Sequence, residues 1–395
     1  VRRRYHLHLP GVLYVALTLL VGVAAANRPN NLLVWVFGAM LAGVLISGIV
    51  SGGMLMTIRA KRLDPRRGAV GQPLILRYAL SNGRSLWGAF NLLIEELPAH
   101  ERSGEPPGWQ RAMRPASGWV MQVGPGETVH GETVLFPLRR GRFRFDRFRV
   151  STTFPFGFVR KSVRFDQRSE VLVYPRVLPL RADLVPSLTR GGLGGARLST
   201  STGPGEDYFG VREYRPGDSV RQIAWKRVAS GQGVVSIERS RTSPPRLRVV
   251  LNLATPTGEL RVRGGARPVA EIARDLEEDA IALAASLVAQ AEADGFEVGL
   301  TILGLYAPKA PVRRGHWHVE RILATLADLD LDAPRNGPAR LVESDRDRAS
   351  LAVVHVDRAA PAVAPAGAWH LVATRLESFL APDRAITPLA AEAKA

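Results

Sequence analysis

The densest chemistry in the chain lies in one run, Gly205-Glu206-Asp207-Tyr208-Phe209-Gly210-Val211-Arg212-Glu213-Tyr214-Arg215-Pro216-Gly217-Asp218-Ser219-Val220-Arg221-Gln222-Ile223-Ala224-Trp225-Lys226. Glu206, Asp207, Glu213 and Asp218 supply carboxylates that could serve as general bases or hold a hard cation. Arg212, Arg215, Arg221 and Lys226 interleave with them, together with Tyr208, Tyr214 and Trp225. The same residues can instead form an Arg–carboxylate network, because planar guanidinium groups pair with carboxylates two bonds at a time. No His lies in the run and no Ser there has a base beside it. A structural network or a partner-binding surface is therefore the expectation, with no catalytic residue assigned. Arg215-Pro216-Gly217-Asp218 reads as a turn with Pro and Gly at its centre. Asp218 is placed to cap a short helix over 219–225, and a strand is expected over 231–240.

Three weaker signals read as structure. His316 and His318 are spaced like metal ligands, yet no third ligand accompanies them. The alternation Arg142-Phe143-Arg144-Phe145 invites a single-stranded nucleic acid, but period two puts aromatics and arginines on opposite faces of a strand. Phe148 and Val150 change parity, so a bulge is expected near Asp146. The glycine-rich stretches at 191–195 and 199–205 lack the Lys-Ser/Thr of a phosphate loop and have no strand and helix around them, so they read as linker. The chain has no Cys, which removes disulfides, thiolate nucleophiles and Cys-ligated metals.

These segments need elements to hold them, and the first elements are apolar helices. Leu9–Ala26 and Asn31–Met56 carry no charged residue. Each meets the length of roughly 20 residues that a helix needs to span a bilayer. Arg28-Pro29-Asn30 joins them as a short turn. Arg2, Arg3 and Arg4 precede the pair, and Arg59, Lys61, Arg62, Arg66 and Arg67 follow it. The positive-inside rule places both ends, and the soluble part with them, in the cytoplasm of a cell whose inner membrane the hairpin crosses. Anionic lipids of the inner leaflet are then the expected partner of these bases. The net charge of +17 over 395 residues is concentrated accordingly. Residues 1–67 hold nine bases against one acid, whereas residues 246–395 hold 18 against 20. No nucleic-acid partner is expected.

From Pro73 onward, short alternating runs are separated by turns such as Ser81-Asn82-Gly83, Gly124-Pro125-Gly126-Glu127 and Pro155-Phe156-Gly157. They predict an antiparallel β-sandwich-like domain. After residue 245 the pattern becomes strand (247–253), helix (268–293), strand (297–303), helix (319–329) and strands (351–356, 369–374). That alternation predicts a doubly wound α/β domain with binding beyond the strand C-termini. The expected organisation is a transmembrane helical hairpin over 1–58, the β domain over 59–185, linker and charged run over 186–245, and the α/β domain over 246–395.

With those residues in view, the chain resembles the domain of unknown function 58 family. The resemblance rests on the hairpin, on Arg140-Gly141-Arg142-Phe143, Pro155-Phe156-Gly157 and Val173-Tyr174-Pro175, and most of all on the 205–226 run. It implies a membrane-anchored protein whose C-terminal domain is similar to a von Willebrand factor A domain. It also implies genes encoded beside MoxR-type AAA+ ATPases. Metal-binding members of that fold use Asp-x-Ser-x-Ser after the first strand to hold Mg²⁺. Here Asn252-Leu253-Ala254-Thr255-Pro256 stands in its place. Asn252 is thus a degenerate position, Asp357 is the nearest candidate carboxylate, and neither metal nor cofactor is expected. The resulting expectation is a non-catalytic accessory or scaffold protein that presents its α/β domain to a MoxR-type ATPase. A hydrolase or transferase using the 206–218 carboxylates is the alternative, and a nucleic-acid binder the second.

Overall fold

Two apolar helices open the computed structural model, α1 (Leu9–Asn27) and α2 (Asn31–Met56). Asn30 caps α2 by accepting the Leu32 N–H. Their large side chains are mostly exposed, Trp35 at 79% and Ile49 at 74%, so they are not core helices of a soluble domain. By length and composition both are able to cross a membrane. The structure describes all residues except 1, 8, 28–29, 64–66, 84–86, 191–197, 203–207, 232, 243, 263–266, 336–339, 342–348 and 383–395.

The chain divides into two compact units, Val1–Tyr174 and Pro175–Ala395. In the first, β1 (Arg2–Leu7), β3 (Gly68–Ala69), β5 (Ala89–Leu97), β6 (Ser117–Val123), β8 (Gly141–Thr152) and β9 (Val159–Tyr174) form one sheet in the order β1-β9-β8-β5-β6, with β3 beside β9. A second sheet has the order β2-β4-β7, from Ile58–Arg62, Leu74–Asn82 and Thr128–Leu135. The alternation of β4 puts Leu74, Leu76, Tyr78 and Leu80 inward, where they share a core with Ile94, Phe145, Phe148 and Val150 of the other sheet. The expected bulge is present, as a register shift between Phe145 and Arg147. Phe143, Phe145 and Phe148 are buried, so they offer no stacking platform to a nucleic acid.

Two charged positions depart from the sequence reading. Arg2–Arg4 do not simply flank a helix; they belong to β1 and pair in register with Arg164, Val163 and Ser162 of β9. Arg62, expected at the lipid surface, is fully buried between the sheets. Its Nε and Nη2 donate to Glu96 Oε1 and Oε2 at 2.8 and 2.9 Å, and Tyr78 donates to the same carboxylate at 2.6 Å. The remaining guanidinium nitrogen, Nη1, donates to the Gln167 carbonyl and the Ser169 hydroxyl at 3.0 and 2.7 Å. Burial pushes the Glu96 carboxyl and the Tyr78 hydroxyl above their ordinary values.

In the second unit, β13 (Arg246–Asn252), β14 (Glu297–Leu303), β15 (Ala310–Arg313), β16 (Ser350–His355) and β17 (Trp369–Val372) form a sheet in the order β15-β14-β13-β16-β17. All neighbours are parallel except β15. Helices α3 (Leu184–Arg190), α5 (Val269–Ala293) and α6 (His316–Ala327) share one core with Leu247, Val249 and Leu251. The opposite face forms a smaller cluster of Val250, Leu303, Leu351 and Val353 with Leu341 and Val363. Among the described residues the helices thus cover one face of the sheet. The doubly wound expectation is corrected to that extent, since strand–helix alternation fixes parallel strands without fixing which face each helix takes. The β-domain boundary at 185 also moves. Leu178, Leu180, Leu184 and Val185 are buried in the α/β core, which places 175–185 in the second unit.

If the Arg62–Glu96 pair holds the two sheets, Glu96→Ala leaves a buried guanidinium without its partner and should cost about 3–5 kcal/mol. Chemical denaturation of the detergent-solubilised protein measures this. A double variant, Arg62→Met with Glu96→Leu, should recover part of the loss.

Candidate functional site

The charged run folds as a small antiparallel sheet. β11 (Tyr208–Glu213) and β10 (Leu198–Thr202) flank β12 (Val235–Thr242), and α4 (Trp225–Ala229) precedes β12. The 186–205 stretch expected as linker therefore contains a strand, while its glycines at 191–195 lie outside the described residues. Glu206 and Asp207 lie outside them as well, and Tyr208 is described only through its backbone place in β11. The 215–218 turn is closed by the Asp218 N–H bonding to the Arg215 carbonyl at 3.0 Å, and Gly217 takes φ +108°, which a residue with a side chain rarely adopts.

Asp218 does not cap a helix. The run over 220–222 is a single 3-10 turn preceded by Ser219, and the Asp218 carboxylate is engaged elsewhere. It takes two bonds from Arg212, at 2.7 and 2.8 Å, and one from the Arg215 backbone N–H at 2.9 Å. Arg212 Nε meets Glu238 of β12 at 2.9 Å. One guanidinium thus ties the 215–218 turn to its own strand and to the next. The Arg212 side chain, and after it the Arg215 N–H, hold the Asp218 carboxyl below its ordinary range. A carboxylate so stabilised is a weak proton acceptor.

The other residues of the run are displayed outward. Glu213, Arg215, Pro216, Gly217, Arg221 and Lys226 are exposed, Tyr214 is half-buried, and Trp225 is 59% exposed. Val220 and Val234 are exposed large apolar residues close to Trp225 in sequence, while Ile223 is turned inward and bridges to Ser236. Trp and Arg together are the residue types that most often anchor protein interfaces.

A second polar group escaped the sequence reading. β13 and β16 are neighbours whose onward connections leave in opposite directions, the point where α/β sheets usually bind ligands. Their last residues, Asn252 and His355, pair in register there. Gly304, at φ +91°, packs so closely on Ala254 that a Cβ would lie 2.4 Å from its backbone. The Ala254 N–H bonds to Asn252 Oδ1 at 3.2 Å, which fixes the amide so that Nδ2 faces His355 Nδ1, also at 3.2 Å. His355 Nδ1 then accepts, its Nε2 carries the proton, and that proton is donated to His370 Nδ1 at 2.9 Å. Burial, reinforced by His370, pushes His355 down to about 4, and burial lowers His370 too. In sequence the two appear as a single His within each of two short apolar runs, Leu351–Val356 and Trp369–Val372.

Asp357 is directed elsewhere, accepting the Arg261 N–H at 3.2 Å. Thr257 bonds to the buried Glu277 at 3.0 Å. His318 bonds to the Val298 carbonyl at 3.0 Å, and His316 lies beside Glu292 and Glu320. Among the described residues no group of three His, Asp or Glu side chains is arranged to hold a metal.

No family model matches the chain, and no curated protein matches it. Among solved structures, it is similar to the solution NMR structure of the CARDB domain of PF1109 from Pyrococcus furiosus. The two are 12% identical over 30% of this chain and 94% of that one, with a TM-score of 0.18, a likeness too low to carry an argument.

Because His355 is neutral in the fold and titrates below its unfolded value near 6.5, its contribution to stability is complete above that pH. It is lost as pH falls from 6.5 towards 4, by on the order of 3 kcal/mol. Denaturation of the wild type between pH 4 and 7 should show this slope, and His355→Gln should flatten it.

Proposed function

We propose that this chain is a non-catalytic accessory protein anchored in the inner membrane by α1 and α2. Its soluble units lie in the cytoplasm, and its C-terminal unit, similar to a von Willebrand factor A domain, engages a protein partner, a MoxR-type AAA+ ATPase. One observation carries the reading. The 212–226 segment spends the carboxylate of Asp218 on internal bonds while Trp225, Val220, Arg221 and Lys226 face solvent. Chemistry needs the reverse, with the carboxylate free and the aromatics packed behind it. A hydrolase or transferase built on this segment would lose its best-placed acid to Arg212. The neutral Asn252–His355–His370 chain supports the same reading, because it stands where a Mg²⁺-binding domain needs anionic oxygen ligands. The family resemblance names the ATPase.

The test is recovery from native membranes in mild detergent, with partners quantified by mass spectrometry. A MoxR-type ATPase should co-purify with the wild type. Trp225→Ala should reduce its recovery about tenfold or more, the loss typical of an aromatic anchor. Repeated purification without any ATPase, or equal recovery with the variant, would sink the reading.

A further inference from the structure

The first unit carries a cleft of about 690 Å³ whose lining includes Arg147, Arg149 and Arg164, with His100, Ser162 and the apolar Leu97. Its lining comes from the end of β5 and the residues after it, from the middle of β8 and from the first half of β9. Strand register creates an unusual charge problem there. Arg149 stands directly opposite Arg164. Like charges placed opposite each other across a sheet are destabilising. Compensation is incomplete: Glu95 meets Arg149 at 2.8 Å, and Asp166 meets Arg164 at 3.3 Å. Among the described residues Arg147 donates to the Pro98 carbonyl alone, at 3.2 Å, and its buried Nε has no partner. Four residues further along the same strand, Ser151 is fully buried, and its hydroxyl has no partner among them either. Buried polar atoms are nearly always satisfied, so a cluster of orphans beside three arginines calls for an acceptor.

We infer that this cleft binds a phosphate group. A phosphate offers several acceptor oxygens and up to two negative charges, matching convergent guanidinium forks better than a single carboxylate does. Leu97 and its neighbours give the cleft an apolar wall for whatever the phosphate is attached to. The cleft also lies near the apolar helices. Three residues before Arg164, about 10 Å along the strand, Lys161 donates to the Gly48 carbonyl of α2. Phe158 stacks on Tyr14 of α1 with ring centroids 4.0 Å apart. A lipid headgroup and a free phosphate share the recognised chemistry, and the measurement separates them. The inference is independent of the ATPase reading, since it concerns other residues and another readout.

The full-length protein in neutral detergent is titrated with inorganic phosphate, with short-chain phosphatidic acid, and with short-chain phosphatidylcholine. Binding is followed by calorimetry and by protection of arginines from chemical modification, mapped by mass spectrometry. Arg147, Arg149 and Arg164 should be protected, while Arg77, exposed beside Glu132 on the other sheet, should not. Arg147→Gln and Arg164→Gln should each weaken binding about tenfold, and Arg77→Gln should not. Tighter binding of phosphatidic acid than of phosphate assigns the cleft to lipid, and the reverse assigns it to a soluble phosphate. Absence of saturable binding by the wild type overturns the inference whatever the variants do. So does protection of Arg77 equal to that of the three, or unchanged affinity in both cleft variants.

Discussion

A fully buried ion pair sets the terms for the first unit. Arg62 belongs to the β2-β4-β7 sheet and Glu96 to the other, and the two are joined by paired bonds in a space that excludes water. Charges in such a place are tolerated only when every hydrogen-bonding position is used. That requirement reaches outward. Tyr78 must present its hydroxyl from β4, Gln167 and Ser169 must approach from β9, and Phe145 and Phe148 close over the guanidinium with centroids 5.4 Å from its carbon. The bulge between Phe145 and Arg147 falls at this point, where the Phe145 carbonyl reaches Arg62 at 3.4 Å. Slipping either sheet by one residue would turn these groups away. Arg62 lies only six residues beyond the end of α2, and Met54, Leu55 and Ile58 enter the same core. The apolar hairpin is therefore continuous with the sandwich, with no flexible tether between them.

The second unit solves a different problem. Its three central strands are buried on both faces, although the second face includes Arg248 and Thr301, and its described helices share one core. The other face is closed by loops around Leu341 and Val363, and at its strand ends by neutral hydrogen-bonded side chains. An Asp at 252 would accept from both Ala254 and His355, forcing the opposite tautomer and favouring an imidazolium. Asn supplies one donor and one acceptor, which lets the proton order run uncharged from Ala254 to His370. Change of one atom type thus separates an anionic strand end from a neutral one.

Hydrophobic patterning made the broad layout legible. Unbroken apolar runs marked α1 and α2, alternation and turn residues marked the sandwich strands, and helical spacing marked α5. What escaped depended on contacts between distant residues. Arg62 reads locally as a base beside an apolar helix, because its partner lies 34 residues further on. Asp218 reads as a helix cap, because capping is a local preference, while Arg212 competes for it only once the 215–218 turn has folded. The segment 175–185 carries apolar residues that fit either neighbour, and only packing assigns it. The His355–His370 bond likewise needs two parallel strands side by side before the residues meet.

Arginine makes up 48 of the 53 basic residues, and this bias has a structural consequence. A lysine can neutralise a carboxylate, but it cannot hold two carboxylate oxygens while donating sideways to a third group. Arg62 does so in the core, and Arg212 does so between Asp218 and Glu238. In both cases the fork is saturated by the fold and the charge is spent internally. Among the described residues Arg147 has one backbone carbonyl as partner and no carboxylate, between strands that already place arginine against arginine. Positive charge is therefore distributed in two kinds. Where the fork is full it fixes register, as at Arg62 and Arg212, and where it is not, the donors either face solvent, as at Arg215 and Arg221, or line the cleft, as at Arg147. The concave arrangement at the cleft suits a small anion, because its donors point at one volume, whereas the exposed bases of the 215–226 segment present theirs along a surface.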